Sequence, residues 1–264
     1  MSMQPWSRRG FLRRALGVGC IGAALGFDGV APAFAVPSDE VRIALFGDSM
    51  IDGIWGGLLR AVQKENCAQG GIKLGRYGMI GTGLTRADKY DWTEEAKKIL
   101  TSFQPELVLV SLGLNDRQAL VSSTKERIDF NAPEWTARYK EAATTFIKAA
   151  GAAPAGLLWL GLPSMRDPAA QADAREKNRI FAEAVQAGHD PRIKYIEPWR
   201  LTGSGEDAFQ PYGPDASGSR IQIRASDGIH FTTAGYDMVT AYLLPKIIAH
   251  LKANNVEIAY PCQK

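Results

Sequence analysis

The stretch "VRIALFGDSM", residues 41–50, combines a strand with a turn into a helix. Its first part, 41–46, is mainly apolar, which is typical of a strand buried on both faces of a parallel sheet. Gly47, Asp48 and Ser49 follow where the chain must turn, so the Ser49 hydroxyl is expected at the top of the sheet, near the amides of a helix N-terminus. An Asp/Ser helix cap uses the same residues, so this stretch predicts the fold but not the function.

Strands and helices alternate along the rest of the chain. The predicted strands are 41–46, 72–77, 106–112, 156–162 and 192–196, and the predicted helices are 52–65, 92–103, 134–150, 168–187 and 233–253. This order predicts an α/β fold, a three-layer α/β/α sandwich around a mainly five-stranded parallel sheet. Pro245 is expected to kink the last helix, and 202–225 is expected to form a long surface loop.

The N-terminal residues have the pattern of an export signal. Paired arginines in "SRRGFLRR" (7–14) precede a short apolar run, and "APAFA" (31–35) ends in a small-x-small cleavage pattern. We therefore predict a twin-arginine signal peptide over 1–35 and a single domain over 36–264. An N-terminal membrane anchor is the alternative. The protein is expected to be periplasmic or otherwise exported, and to meet the membrane only during export.

Removing the predicted signal changes the charge of the chain. The full sequence has a formal net charge of +3, and the four arginines and one aspartate of 1–35 account for all of it. A neutral mature chain does not favour nucleic-acid binding or a polybasic membrane patch. Cys67 and Cys262 would remain in an oxidising compartment, where they could form a disulfide. No Cys/His spacing indicates a metal site, and no cofactor is predicted.

Small and polar residues follow the second and third predicted strands. "YGMIGTGLT" (77–85) has three glycines in six residues, which let backbone approach a ligand closely, although a plain glycine-rich turn has the same composition. Asn115 follows the third strand and could donate its side-chain N–H to an oxyanion, or form an Asx turn. Because parallel strands bring their carboxyl ends to one edge of the sheet, these groups are expected near Ser49.

A histidine and a carboxylate near the C-terminus complete this set. In "ASDGIHFTTAGY" (225–236), His230 lies three residues after Asp227. Asp227 can hold the imidazole ring while the other ring nitrogen faces Ser49, which supplies a nucleophile, a base and a carboxylate that orients the base. The order Ser, Asp, His is that of α/β hydrolases, but no Gly-x-Ser-x-Gly elbow surrounds the serine. The other histidines are expected to be structural or solvent-facing: His189 and His250.

Four short segments follow one another along the chain: "FGDSM", "MIGTG", "GLND" and "DGIH". Their order and spacing resemble the four sequence blocks of SGNH hydrolases, also called GDSL esterases/lipases. The resemblance extends from Val41 to about Leu251. "WLGLPSMR" (159–166), together with the segments around Asn115 and His230, further resembles a bacterial, envelope-associated branch of that family. The resemblance implies the flavodoxin-like SGNH hydrolase fold.

The resemblance also implies roles for the residues at the matching positions. Ser49 would be the nucleophile, His230 the general base and Asp227 the residue that orients His230. The backbone amides of Ser49 and Gly81, with the side chain of Asn115, would form the oxyanion hole. The two neighbouring glycines of the same turn are alternatives to Gly81.

Other residues at the same edge of the sheet are candidates for substrate contacts: Asp48, Arg117, Gln118 and Arg166. The implied function is an exported serine esterase that removes acyl groups, acetyl in particular, from an envelope glycan or another small ester. The alternatives are an O-acyltransferase, a lipase or thioesterase, and a non-catalytic glycan-binding scaffold. Retention of the whole set of catalytic residue types argues against the scaffold.

Overall fold

The computed structural model describes residues 40–64, 71–197, 208–215 and 217–258. The predicted signal peptide and both cysteines of the predicted mature chain, Cys67 and Cys262, lie outside these residues. Within the described ranges, no helix is long and apolar enough to cross a membrane.

Nine strands and five helices make up the described chain. In chain order they are β1 (Val41–Gly47), α1 (Ser49–Lys64), β2 (Ile72–Gly78), α2 (Trp92–Phe103), β3 (Leu107–Ser111), β4 (Leu120–Val121), β5 (Arg127–Ile128), α3 (Trp135–Ala150), β6 (Leu157–Leu160), α4 (Pro168–Ala187), β7 (Ile193–Ile196), β8 (Tyr212–Pro214), β9 (Arg220–Gln222) and α5 (Thr233–Ala253). The central sheet has the order β2-β1-β3-β6-β7, and all of its pairings are parallel. All five predicted sheet strands are confirmed.

The sheet separates two apolar layers because alternate side chains of each strand point to opposite faces. On one face, Phe46 and Val110 pack in a cluster with residues of α2, α3 and α4. On the other face, Leu45 and Leu109 pack with residues of α1 and α5. This arrangement is the predicted three-layer α/β/α sandwich. It also places the ends of β1, β3 and β6 at one edge, where polar residues follow each strand.

The prediction of one long loop over 202–225 is wrong for part of that segment. β8 and β9 form an antiparallel hairpin there, and three-residue strands are too short to produce a periodic pattern in the sequence. Thr232 ties this hairpin to the start of α5, because its amide donates to Ile223 O at 3.0 Å and its hydroxyl donates to Gln222 O at 2.9 Å. α5 continues through Pro245 as a single helix.

Gly47, the last residue of β1, generates a prediction about stability. A Cβ at this position would lie 2.1 Å from the Ser111 carbonyl oxygen of β3. We expect Gly47→Ala to lower the free energy of unfolding by about 1–3 kcal/mol, measured by urea denaturation, because the two strands would have to move apart.

Gly56→Ala is the matched control. At Gly56, within α1, an added Cβ would be 3.4 Å from the flexible Arg60 guanidinium and would meet nothing closer. This change is expected to stabilise the protein by about 0.5–1 kcal/mol, because alanine loses less backbone entropy in a helix. A Gly47→Ala protein as stable as the Gly56→Ala protein would contradict the close packing of β1 on β3.

Candidate active site

Ser49 is the first residue of α1 and directly follows the β1 turn. Its Oγ lies 2.7 Å from Nε2 of His230, which is 181 residues away in sequence. His230 belongs to the turn that precedes α5, so the fold brings the end of the first strand to the start of the last helix. The structure thus joins the predicted nucleophile and base in direct hydrogen-bonding contact.

The carboxylate of Asp227 completes this arrangement. Its Oδ2 lies 2.7 Å from His230 Nδ1, and its Oδ1 accepts the backbone N–H groups of Ile229 and His230 at 2.8 and 3.0 Å. Burial raises the pKa of Asp227, but hydrogen bonds from the His230 ring and from the two amides outweigh it and hold the pKa at about 2. Asp227 is therefore ionised at neutral pH and can stabilise a protonated imidazole.

Arg224 supports the turn 225–230 from inside the protein. This turn carries Asp227 and His230 and is called the catalytic turn. Its side chain is fully buried, and its Nη2 donates to Ile229 O at 2.6 Å while Nε donates to His230 O at 3.4 Å. The guanidinium lies over the rings of Phe209 and Phe231, 4.8 and 4.5 Å from their centroids. Burial lowers the pKa of Arg224 to about 10. Sequence reasoning missed this residue, because an arginine with carbonyl and ring partners forms no local motif.

Arg166, at the carboxyl end of β6, holds the same turn from outside. Its Nη1 donates to Ser226 O at 2.8 Å, and its backbone N–H donates to Gly228 O at 3.1 Å. The guanidinium is also 5.1 Å from the centroid of the Phe209 ring. The structure therefore places this predicted substrate contact directly beside Asp227.

The three predicted oxyanion donors lie where β1, β2 and β3 end. Among the described residues, no acceptor is bound to the backbone N–H of Ser49 or of Gly81. Asn115 donates one Nδ2 hydrogen to Thr82 O at 2.9 Å, which orients its amide and leaves the second hydrogen available. Gly81 has a φ of +75° and is exposed, whereas Gly83 of the same turn is buried. The exposed amide favours Gly81 as the backbone donor.

The buried carboxylate of Asp116 connects the loops after β2 and β3. It accepts the amides of Leu84 and Thr85 at 3.0 and 3.1 Å and the Thr85 hydroxyl at 2.8 Å. The hydroxyl of Tyr139 donates to it at 2.7 Å. Asp116 directly follows Asn115, so these bonds fix the loop that carries the predicted oxyanion donor. Its role could not be predicted from sequence, because it depends on partners from two other elements.

The prediction that Asp48 contacts substrate is wrong. Asp48 has no exposed surface, and its two carboxylate oxygens accept the amides of Met50 and Leu114 at 3.0 and 3.2 Å. Burial raises the pKa of Asp48 to about 7, aided by the nearby charge of Asp116, while the two amides oppose the shift. The Asp48 carboxylate therefore binds the first turn of α1 and connects it to the loop after β3.

Two further predicted contacts lie in that loop, and the structure separates their roles. Gln118 donates its Nε2 hydrogen to Asn115 O at 2.7 Å, and its own carbonyl accepts the Trp135 indole N–H at 3.0 Å. Gln118 is thus bound within the loop. Arg117 is exposed, and within the described residues it has no hydrogen bond or ion pair.

The other two histidines lie away from this site. His250 is buried, and its Nε2 is 2.8 Å from Ala155 O; burial lowers its pKa. His189 is exposed, with a φ of +49° after α4. Both positions agree with the prediction of structural or solvent-facing histidines. The described ranges also contain no group of three or more His, Cys, Asp or Glu that could hold a metal ion.

A family model described as "Protein of unknown function (DUF459)" matches residues 42–246. Among curated proteins, none matches the chain significantly in sequence.

Several solved structures share the fold. An acetyl esterase mutant with a bound acetate ion is 13% identical, covering 81% of this chain and 99% of its own, with a TM-score of 0.52. A carbohydrate esterase family 3 protein from Talaromyces cellulolyticus is 14% identical over the same shares, with a TM-score of 0.52. An acetylxylan esterase mutant from Geobacillus stearothermophilus is 15% identical, covering 78% and 94%, with a TM-score of 0.51. These comparisons confirm the predicted α/β fold.

The buried guanidinium of Arg224 generates a prediction about the nucleophile. Arg224→Met would leave the Ile229 carbonyl without its donor, whereas His230 O would keep the Ala225 amide at 2.8 Å. An unpaired buried carbonyl costs about 1–3 kcal/mol. The turn would relax, and His230 would lose its alignment with Ser49. We expect a fluorophosphonate probe to label Ser49 about tenfold more slowly in this variant, measured by intact-protein mass spectrometry.

Two further variants make the Arg224 test specific. Arg224→Lys keeps the positive charge and has one ammonium group as a donor in place of the guanidinium. Its labelling rate should therefore lie between those of the wild type and Arg224→Met. Arg220→Met is the control, since Arg220 stacks on Tyr212 in the β8–β9 hairpin and donates to no carbonyl of the catalytic turn. Wild-type labelling in a folded Arg224→Met protein would show that the turn does not need the guanidinium.

Proposed function

This chain belongs to the DUF459 family, and we propose that it is a serine hydrolase that cleaves carboxylic esters. The observation that carries the proposal is the continuous hydrogen-bonded chain from Ser49 Oγ through the His230 ring to the Asp227 carboxylate, with both links at 2.7 Å. An unpaired amide at Gly81 and an oriented Asn115 side chain lie on the loops that follow the neighbouring strands.

The reaction follows from the positions of these groups. Ser49 Oγ attacks the ester carbonyl carbon while His230 Nε2 takes its proton, and the carbonyl electrons move onto the oxygen. The amides of Ser49 and Gly81 and the Asn115 side chain stabilise this oxyanion. As the intermediate collapses, His230 returns the proton to the leaving alcohol, and an acyl-serine remains. A water molecule that loses a proton to His230 then releases the acid and restores Ser49.

We propose acetyl groups on a glycan as the substrate. The solved structures of similar fold include an acetyl esterase and an acetylxylan esterase, which supports this choice by analogy of fold. Export would bring the protein to envelope polymers. The support for export is the pair Arg8 and Arg9 within "SRRGFLRR", followed by a short apolar run and a small-x-small site ending at Ala35.

A second candidate is an esterase for longer acyl chains. Met79 and Ile80 directly precede Gly81 and expose 43% and 71% of their surface. Large apolar side chains exposed beside a predicted oxyanion donor favour a contact with an apolar group of the substrate. The chain-length preference of the protein therefore separates the two candidates.

Hydrolysis of p-nitrophenyl esters from acetyl to long acyl chains tests both candidates. We expect the protein lacking 1–35 to prefer the acetyl ester, and Ser49→Ala to have no turnover because the nucleophile is gone. Asn115→Ala should lower kcat by about 100–1000-fold, the usual cost of one oxyanion donor. A preference for long chains would favour the second candidate. Wild-type turnover by Ser49→Ala would contradict the serine mechanism.

Localisation in a Gram-negative host tests export. We expect the full chain to be cleaved after Ala35 and recovered in the periplasm, as shown by N-terminal sequencing. Replacing Arg8 and Arg9 by lysine keeps the charge but removes the paired arginines, so the precursor should accumulate inside the cell. The same replacement at Arg13 and Arg14, outside the pair, is the control and should not change export. Equal export of both variants would contradict the twin-arginine route.

A further inference from the structure

We propose that the ester substrate is an anion, and that Arg117 and Arg166 bind its negatively charged oxygen group, a carboxylate or a phosphate. The inference rests on the proposed esterase function and adds the chemical class of the alcohol part.

Most arginines of the described residues have a carboxylate partner. Three exposed ones have none among those residues, namely Arg117, Arg166 and Arg220, and Arg220 lies over the Tyr212 ring in the β8–β9 hairpin. Eight arginines have a carboxylate within salt-bridge distance: Arg42, Arg60, Arg76, Arg86, Arg127, Arg138, Arg179 and Arg192. Arg117 and Arg166 have no such partner within the described ranges, although both are exposed. Since this surface neutralises most of its guanidinium groups, two unneutralised ones at the same edge of the sheet indicate a partner that arrives with the substrate.

Arg166 is held ready for such a partner. Its Nη1 is fixed on Ser226 O at 2.8 Å, and its guanidinium plane lies over Phe209 at 5.1 Å from the ring centroid. Its Nε and Nη2 donate to no group among the described residues. A guanidinium that is fixed at one corner and stacked on a ring loses little conformational entropy when its free N–H groups bind an oxyanion in bidentate fashion.

Arg166 also lies close to the reacting groups. A Cβ built on Gly228 would be 3.0 Å from Arg166 Nε and 3.2 Å from Cζ. Gly228 is the residue between Asp227 and Ile229 in the turn that carries His230. An anionic group bound at Arg166 would therefore lie next to the catalytic turn, on the β6 side of Ser49.

Arg117 adds a second positive charge from the neighbouring strand. It lies two residues after Asn115, in the loop that follows β3, and β3 pairs in parallel with β6. Its side chain is exposed and without a partner among the described residues, so it can move toward a bound substrate. The two arginines thus lie on loops that follow adjacent strands, and β3 and β6 both lie on the same side of β1, the strand that leads to the predicted nucleophile.

Among the described residues, no carboxylate at this edge forms a salt bridge with Arg117 or Arg166. Asp227 is engaged with His230, and Asp48 and Asp116 are buried on neutral donors. Asp167, next to Arg166, caps α4 by accepting the Ala170 amide at 2.8 Å. A carboxylate or phosphate of the substrate would therefore be the partner that the two guanidinium groups lack within the described residues.

Two matched substrate pairs test the proposal by release of acetate. The first pair is an O-acetylated oligogalacturonide with free carboxylates and the same compound as its neutral methyl ester. The second pair is acetylated glycerol phosphate and acetylated glycerol, which separates phosphate from carboxylate recognition. At low salt we expect kcat/KM to be at least about tenfold higher for the anion of one pair, mainly through KM, and to fall toward the neutral value as salt rises.

Variants assign the preference to the two arginines. For each variant the ratio of kcat/KM for the anion to that for its neutral partner is measured, so that any general loss of activity cancels. Arg117→Gln and Arg166→Gln should each lower this ratio severalfold, and the double variant should bring it near one. Arg117→Lys keeps the charge and should retain most of the ratio. Arg127→Gln, on β5, removes a paired arginine and should leave the ratio unchanged.

The outcomes separate this proposal from the esterase function. Hydrolysis of the neutral esters with a wild-type ratio near one for both pairs would overturn the anionic substrate and leave the esterase intact. A high ratio that survives the double variant would place the anion elsewhere and overturn the assignment. A folded protein that hydrolyses no ester would overturn both.

Discussion

Two buried carboxylates connect the three loops on which the site is built. Asp116 binds the loop after β2 through the amides of Leu84 and Thr85 and binds α3 through the Tyr139 hydroxyl. Asp48 joins the start of α1 to the loop after β3. A buried carboxylate is costly unless several donors surround it. Asp48 receives only two amides and keeps a pKa of about 7. The burial of Asp48 therefore lowers the stability of the folded protein, while its hydrogen bonds connect the start of α1, where Ser49 lies, to the Asn115 loop.

The opposite half of the site, the turn that carries His230, is held by two arginines together with the Asp227 carboxylate. Arg224 binds two carbonyls of the catalytic turn from within, and Arg166 binds Ser226 O from the surface. The charge of Arg224 is also attracted to the Asp227 carboxylate. The two halves meet at the 2.7 Å contact between Ser49 and His230, and beside it the Tyr236 hydroxyl lies 3.7 Å from Met50 Sδ. Small displacements of either half would therefore act directly on this contact.

The sequence predicted the elements whose signal is local and failed where function depends on tertiary partners. β3 and β6 are fully buried apolar runs, so the parallel sheet and the edge that carries the site could be predicted from such runs. The role of Asp116 depends on donors from distant elements, and the role of Arg224 depends on backbone carbonyls of a turn. Neither set of partners can be recognised from the spacing of residues in the sequence. Asp48 was misjudged because it neighbours Ser49 in sequence, whereas the first turn of α1 directs its side chain inward.

Under the proposed function, catalysis and substrate choice depend on different parts of this molecule. Structures of similar fold are only 13–15% identical to it, so a shared sheet does not require a shared substrate. The segments that carry Ser49, Asn115 and His230 are held by buried side chains, Asp48, Asp116 and Arg224, which leaves these residues little freedom to vary. Three exposed side chains instead lie on loops at the sheet edge: the apolar Ile80, and Arg117 and Arg166, which have no carboxylate partner among the described residues. Because these side chains contribute little to the core, they can change without loss of the fold, and specificity is expected to reside in them.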